Sequence, residues 1–276
     1  MVTKSFVDIL VVALPFLYTG LVTVYGIAFF RNAVTVERLK RPYMLALLVL
    51  HLVYLGLRTV AFDHPPITTV YEIMTLLSAA MTMAYVYLEF RTNIRNTGFF
   101  ILGLALIFQT VSSVFIKDLT VIPEYLHSLV LGFHVSAAML GYTGISIAAV
   151  YGLLYLMLYH EIKSSRFGVI YSRLPNLETL ETMSHKAEVF GFVALSVAIV
   201  IGLFWLPRVF REFSYLDPKL VGTIAIWVLY AIGLMSKRRL GWQGRKTMIL
   251  ALVGFAFVFI AMAVINISPS SFHTFH

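Results

Sequence analysis

Eight long apolar runs separated by short polar stretches dominate the chain, at residues 6–30, 42–62, 69–90, 98–116, 125–158, 187–206, 220–236 and 247–267. Each approaches or exceeds the roughly 20 residues that a helix needs to cross the hydrocarbon core of a bilayer. The pattern predicts an all-α integral membrane protein, a bundle of about eight transmembrane helices. The first run is too long for the core of a cleaved signal and Arg31 follows it directly, so it is read as a retained span. With no internal repeat and no low-complexity tract, residues 1–276 are read as a single polytopic membrane domain.

The fifth run is the longest and is expected to tilt or to protrude from the bilayer. After it, Leu174-Pro175 breaks the chain, and Asn176 can cap a new helix whose Leu177, Leu180 and Met183 share one face. Residues 176–184 are therefore expected to form a short helix on the inner membrane surface, leading into the sixth span.

Composition agrees with this reading. Sixty per cent of the residues are hydrophobic and 12% charged, against roughly 25% charged in a soluble domain. The excess of apolar side chains must face lipid or other helices. The chain has no cysteine, which excludes structural disulfides, thiolate metal sites and a cysteine nucleophile of its own.

The net charge of +8 could suggest a polyanionic partner, but the basic residues cluster between the apolar runs. The clusters are Arg31, Arg38, Lys40 and Arg41; Arg91 and Arg95; Lys163, Arg166, Arg173 and Lys186; and Lys237, Arg238, Arg239, Arg245 and Lys246. Together they hold 15 of the 21 basic residues, all in alternate loops. The positive-inside rule makes those loops cytoplasmic, and an even number of spans then puts both termini outside the cytoplasm. The partner that this distribution implies is the lipid bilayer, not nucleic acid.

Histidine is the side chain here best suited to iron or another transition metal. His160 and His185 fall in a cytoplasmic loop and read as surface residues. His51 sits in the middle of the second run, where a hydrogen bond to a neighbouring helix and a role at a cofactor are both open. The predicted outer side is richer, with His64 after the second span, His127 and His134 near the start of the fifth, and His273 and His276 in the tail. Residues 127 and 134 are seven apart, about 10 Å along one helix, so they cannot flank a single iron atom. A bis-histidine site needs its second ligand from elsewhere, which makes His134 with His273 or His276 a candidate pair.

The stretch 204–219 adds Phe204, Trp205, Phe210, Phe213 and Tyr215, with Arg208, Arg211 and Asp217. Such residues can pack a flat macrocycle and pair with its propionates, or form an interfacial aromatic belt with snorkelling cations. Arg58 and Glu72 flank the first outer loop and are read as a structural ion pair. No phosphate-binding glycine loop, zinc-protease motif or hydrolytic acid pair is present.

Over nearly the whole chain beyond the first span, the sequence resembles the cytochrome c assembly proteins of the CcsA, ResC and HemX type. His51-Leu-Val-Tyr-Leu-Gly-Leu-Arg58 is similar to their second-span histidine-to-arginine stretch. Asp63-His64-Pro65-Pro66 leading to Tyr71-Glu72 is similar to their first outer loop. His134-Val135-Ser136 followed by Gly141-Tyr142 is similar to a fifth-span motif. Arg173-Leu174-Pro175 with Leu177-Glu178, then Gly191-Phe192, is similar to their cytoplasmic hinge. Trp227-Val-Leu-Tyr-Ala231, Gly241-Trp242-Gln-Gly-Arg245, Gly254-Phe255 and Asn266 are similar to the last two spans, and His273 falls where the family carries an outer-tail histidine.

The resemblance implies haem b held at the outer face between His134 and His273, with Trp205, Phe213, Tyr215 and Asp217 in the adjoining aromatic loop, His64 on the same face and His51 on a haem path within the membrane. It implies attachment of that haem to apocytochrome c beside a ResB-type subunit, in a bacterial inner (plasma) membrane rather than a thylakoid. Two departures stand out. Where the family's loop reads like Trp-Ser-Trp-Asp-Pro-Lys-Glu, this chain has Ser214-Tyr215-Leu216-Asp217-Pro218-Lys219-Leu220, and Met235 stands where the catalytic branch carries a further histidine. They keep open a HemX-like regulatory or accessory protein without attachment chemistry. A third reading is a structural subunit of a respiratory or photosynthetic complex.

Overall fold

A computed structural model describes residues 2–31, 34–118, 128–209, 216 and 218–267. Its helices are α1 (Val2–Arg31), α2 (Val34–Phe62), α3 (Val70–Thr92), α4 (Gly98–Phe115), α5 (Leu129–Lys163), α6 (Val169–Arg173), α7 (Leu177–Val209), α8 (Pro218–Leu240) and α9 (Arg245–Ile267). Among the described residues, seven of these are long and apolar enough to cross a membrane. The eighth expected span coincides with α9, a helix of 23 residues. The chain is an all-α multi-pass membrane protein.

Two boundaries depart from expectation. Residues 176–184 are not a separate surface helix but the first turns of α7, which runs unbroken for 33 residues. Asn176 does start the helix, its Oδ1 accepting the Thr179 N–H at 2.9 Å. However, Ser184-His185-Lys186 holds no glycine or proline to stop it. The helix at the former break is instead the five-residue α6. The protrusion expected of the fifth span agrees with α5, whose 35 residues extend about 52 Å, well beyond a hydrocarbon core of about 30 Å.

The helices fall into two compact units, Met1–Ser128 and Leu129–His276. In the first, α1 packs on α2 and α4, and α3 packs on α2 and α4, closing a four-helix bundle. Its interior is polar along one helix. Glu72, Thr75, Ser78, Thr82, Tyr85 and Glu89 of α3 recur every three or four residues, share a face and are fully buried. The two carboxylates close the ends of this seam, about 26 Å apart along the axis, and each has a cation: Arg58 for Glu72 and Arg41 for Glu89. Tyr25 also donates to Glu89 at 2.7 Å. The residues between carry no formal charge, because an ion at mid-bilayer depth is costly.

In the second unit α5 packs on α7 and α9, and α8 packs on both of the latter. The α5–α7 pair approaches to backbone contact. A Cβ on Gly144 would lie 2.6 Å from Gly191 Cα, and one on Gly191 would lie 2.9 Å from the Gly141 carbonyl. Small residues permit this approach, and it supplies the van der Waals contact that the hydrophobic effect cannot supply between helices in lipid. Ser184 donates to the Ala148 carbonyl at 2.8 Å and extends the seam. Beside it, Ile145, Leu195, Ile226, Tyr230 and Val258 form an apolar cluster. Trp227 stacks on Phe192 at 5.2 Å and donates its Nε1–H to Ser196 Oγ at 2.7 Å.

Candidate functional site

The glycine contacts set an antiparallel register between α5 and α7: Ala148 opposite Ser184, Gly144 opposite Gly191, Gly141 opposite Leu195. Carried two turns further, that register brings His134 against Ala198 and Gly202. The His134 Nδ1 lies 2.8 Å from the Ala198 carbonyl oxygen. A carbonyl only accepts, so Nδ1 carries the proton and the lone pair is left on Nε2, the tautomer that an iron-ligating imidazole requires.

Gly202 makes room for the ring. A Cβ there would stand 3.0 Å from His134 Cε1 and 3.3 Å from Nδ1. Trp205 lies one turn beyond Gly202 on α7 and is half-buried. The second unit therefore carries two of the predicted site residues on its α5–α7 pair, His134 on α5 and Trp205 on α7. His273, Phe213, Tyr215 and Asp217 lie outside the described residues, as do His127 and His276.

His51 and His64 both belong to the first unit. His51 is fully buried, and both ring nitrogens are engaged: Nδ1 with Tyr18 Oη and Nε2 with Thr75 Oγ1, each at 2.9 Å. Thr75 gives its own proton to Gln109 Oε1 at 2.7 Å, and Tyr18 Oη also meets Thr82 Oγ1 at 2.8 Å. Helices α1, α2, α3 and α4 thus meet at one imidazole. His51→Ala removes that junction and leaves a cavity. It is expected to destabilise the first unit by about 1–3 kcal/mol, measurable by thermal unfolding in detergent. Loss of bound haem with unchanged unfolding would instead favour the role on a haem path.

His64 is buried and donates from Nδ1 to its neighbour's carbonyl, Pro65 O, at 2.9 Å. Its ring lies 6.2 Å from that of Phe62, over which the Arg58 guanidinium sits at 4.7 Å, and Arg58 forms the ion pair with Glu72 expected from the sequence. Arg58 Nε donates to Glu72 Oε1 at 3.0 Å, its Nη2 to the Lys117 carbonyl at 3.0 Å and its Nη1 to Asp118 Oδ1 at 3.4 Å. Glu72 Oε2 accepts from the backbone N–H of Thr68 at 2.8 Å and from its hydroxyl. The Thr69 side chain caps the start of α3 through the Glu72 N–H.

His185, expected at the surface, is half-buried on α7, and its Nδ1 is enclosed with no hydrogen-bond partner. It falls there because the helix of the sixth span begins at Leu177, ten residues before its apolar run.

Sequence reasoning missed Ala198 and Gly202. The first acts through a main-chain carbonyl, which every residue possesses, so no side-chain signal could have marked it. The second was legible only as one glycine among several in apolar helices. Among the described residues no group of three or more His, Cys, Asp or Glu could hold a metal ion. A metal at His134 would therefore be held within a prosthetic group or with help from residues outside the described set.

The family described as Cytochrome C assembly protein matches residues 67–273. The chain is 26% identical over 243 residues to "Cytochrome c biogenesis protein CcsA" of Guillardia theta, covering 81% of this chain and 80% of that protein. It is 24% identical over 288 residues to the protein of the same name from Trieres chinensis, covering 92% of each. It is 25% identical over 236 residues to "Protein HemX" of Brevibacillus brevis, covering 82% of this chain and 83% of that one.

Proposed function

The chain belongs to the cytochrome c assembly protein family, and from that membership we propose that it serves cytochrome c maturation by binding haem b and presenting it at the outer membrane face. His134 and His273 would hold its iron. The observation that carries this reading is the His134 Nδ1–H bond to the Ala198 carbonyl. It fixes the ring and leaves Nε2 basic, the arrangement by which proteins usually orient a ligating histidine. The Gly202 cradle, with Trp205 one turn further along α7, suits a flat macrocycle beside that imidazole.

Bound there, haem supplies the group to be joined to the thiols of an apocytochrome. The chain, having no cysteine, supplies the ligands and the cradle. A ResB-type subunit and apocytochrome c are the partners. Both termini lie outside the cytoplasm, and the membrane is a bacterial plasma membrane, with a thylakoid as the alternative.

The test is the absorption spectrum of the purified protein, reduced and oxidised. His134→Ala and His273→Ala are each expected to lose the six-coordinate signature. If both variants keep wild-type haem with unchanged ligation, the site assignment is wrong. The similarity to a HemX protein favours a second reading, an accessory role without attachment. Deleting the gene separates the two: covalent cytochrome c is lost under the first, whereas early haem-pathway enzyme levels change under the second.

A further inference from the structure

The turn between α5 and α7 is built to hold two aromatic rings outward. Helix α5 ends with Ser165 in the left-handed region (φ 53°). The Arg166 N–H reaches back to the Glu161 carbonyl at 3.0 Å and the Ser165 N–H to the Ile162 carbonyl at 3.1 Å. This is a Schellman ending. The chain then doubles back, and the Glu161 carboxylate accepts from the Gly168 N–H at 3.2 Å and the Tyr171 N–H at 2.8 Å. A Cβ on Gly168 would stand 2.9 Å from Glu161 Oε1, so glycine lets the carboxylate close directly on the turn.

The closed hairpin packs Phe167 edge-on against Tyr171, with centroids 4.7 Å apart. Their outer surfaces stay bare, with Phe167 64% and Tyr171 47% exposed. Water is a poor environment for such a surface, and a backbone this thoroughly bonded is not an accident of loose chain.

The surroundings identify what covers it. Lys163 and Arg166 flank the rings and are exposed. At the same end of the second unit lie the basic runs at 237–239 and 245–246, with Lys246 over the exposed Trp242 ring at 5.8 Å. The nearby acids are largely engaged, Glu161 by backbone amides and Glu181 by Lys237 at 3.2 Å. Aromatic rings interleaved with unneutralised cations at the end of a helix longer than the bilayer match the headgroup layer of an anionic leaflet.

We propose that the 161–173 hairpin is an anionic-phospholipid anchor: Phe167 and Tyr171 insert at the headgroup–acyl boundary while Lys163 and Arg166 bind lipid phosphates. The proposal is independent of the haem reading and concerns a different part of the second unit.

Because the chain has no cysteine, a spin label on Phe167→Cys reports this position alone in the full-length protein. In nanodiscs of phosphatidylglycerol the label is expected to collide with oxygen more readily than with a water-soluble nickel chelate. In phosphatidylcholine nanodiscs, or with Lys163→Gln and Arg166→Gln added, that preference should fall. Glu161→Ala, which removes the carboxylate that closes the hairpin, should lower it in either lipid. A label equally open to nickel in both lipids would put the hairpin in water and overturn the proposal. A label shielded from both probes would put it under protein and overturn it equally.

Discussion

Arg58→Ala is expected to cost the first unit about 3–5 kcal/mol, the usual penalty for removing one partner of a buried ion pair. Both side chains of the pair are almost wholly buried, so the substitution leaves the Glu72 carboxylate without its cation and without access to water. It also releases the Lys117 carbonyl and Asp118, to which the guanidinium is tied. Lys4, 3.3 Å from Asp118, stays with that carboxylate and cannot replace Arg58 at Glu72. The expected reading is a large drop in the thermal midpoint of the detergent-solubilised protein. Arg58→Met combined with Glu72→Leu should recover much of the loss, since apolar residues of similar volume often replace a buried pair at little cost. A double variant no more stable than the single one would contradict this account.

Gly202→Val should weaken haem retention roughly 10–100-fold, the range typical of disturbing the group that orients a metal-bound histidine. Even a single methyl there would crowd the His134 ring, 3.0 Å from Cε1. Valine's branches would push the imidazole off the Ala198 carbonyl and turn Nε2 away from its present direction. The protein should still fold, since Gly202 meets His134 and Leu206 side chains rather than backbone. Gly132→Ala, two residues from His134 but with open space around its Cβ position, is the control and should leave haem content unchanged. If both variants retain haem equally, the cradle has no part in holding it.

Several motifs that carry the family resemblance prove to build the fold. Glu72 neutralises Arg58 and accepts from the Thr68 N–H ahead of α3, Gly191 admits α5 against α7, and Trp227 bonds α7 to α8. Gly254 lies under the Tyr230 ring, where a Cβ would stand 3.0 Å away. Gly241 and Gly244 supply positive φ in the turn between α8 and α9, a conformation costly for other residues. Their order along the chain is a record of packing as much as of chemistry. His134 differs, since its ring meets a backbone carbonyl through one nitrogen only.

The helical membrane class and the approximate spans were determined by sequence alone, because 20-residue apolar runs admit almost no other structure in lipid. The partnership of Arg58 with Glu72 was legible for the same reason: charges at the ends of spans must find each other. Tertiary structure decided what local pattern cannot carry. The helix at 177–184 was legible in its cap and periodicity, but its seating against α5 as the start of the sixth span, with Ser184 bonded to the Ala148 carbonyl, belongs to tertiary packing. The occupation of both His51 nitrogens depends on hydroxyls from α1 and α3 that lie far away in sequence. The orientation of His134 depends on a main-chain oxygen, invisible to any residue pattern and brought into place by a glycine-set register between two helices.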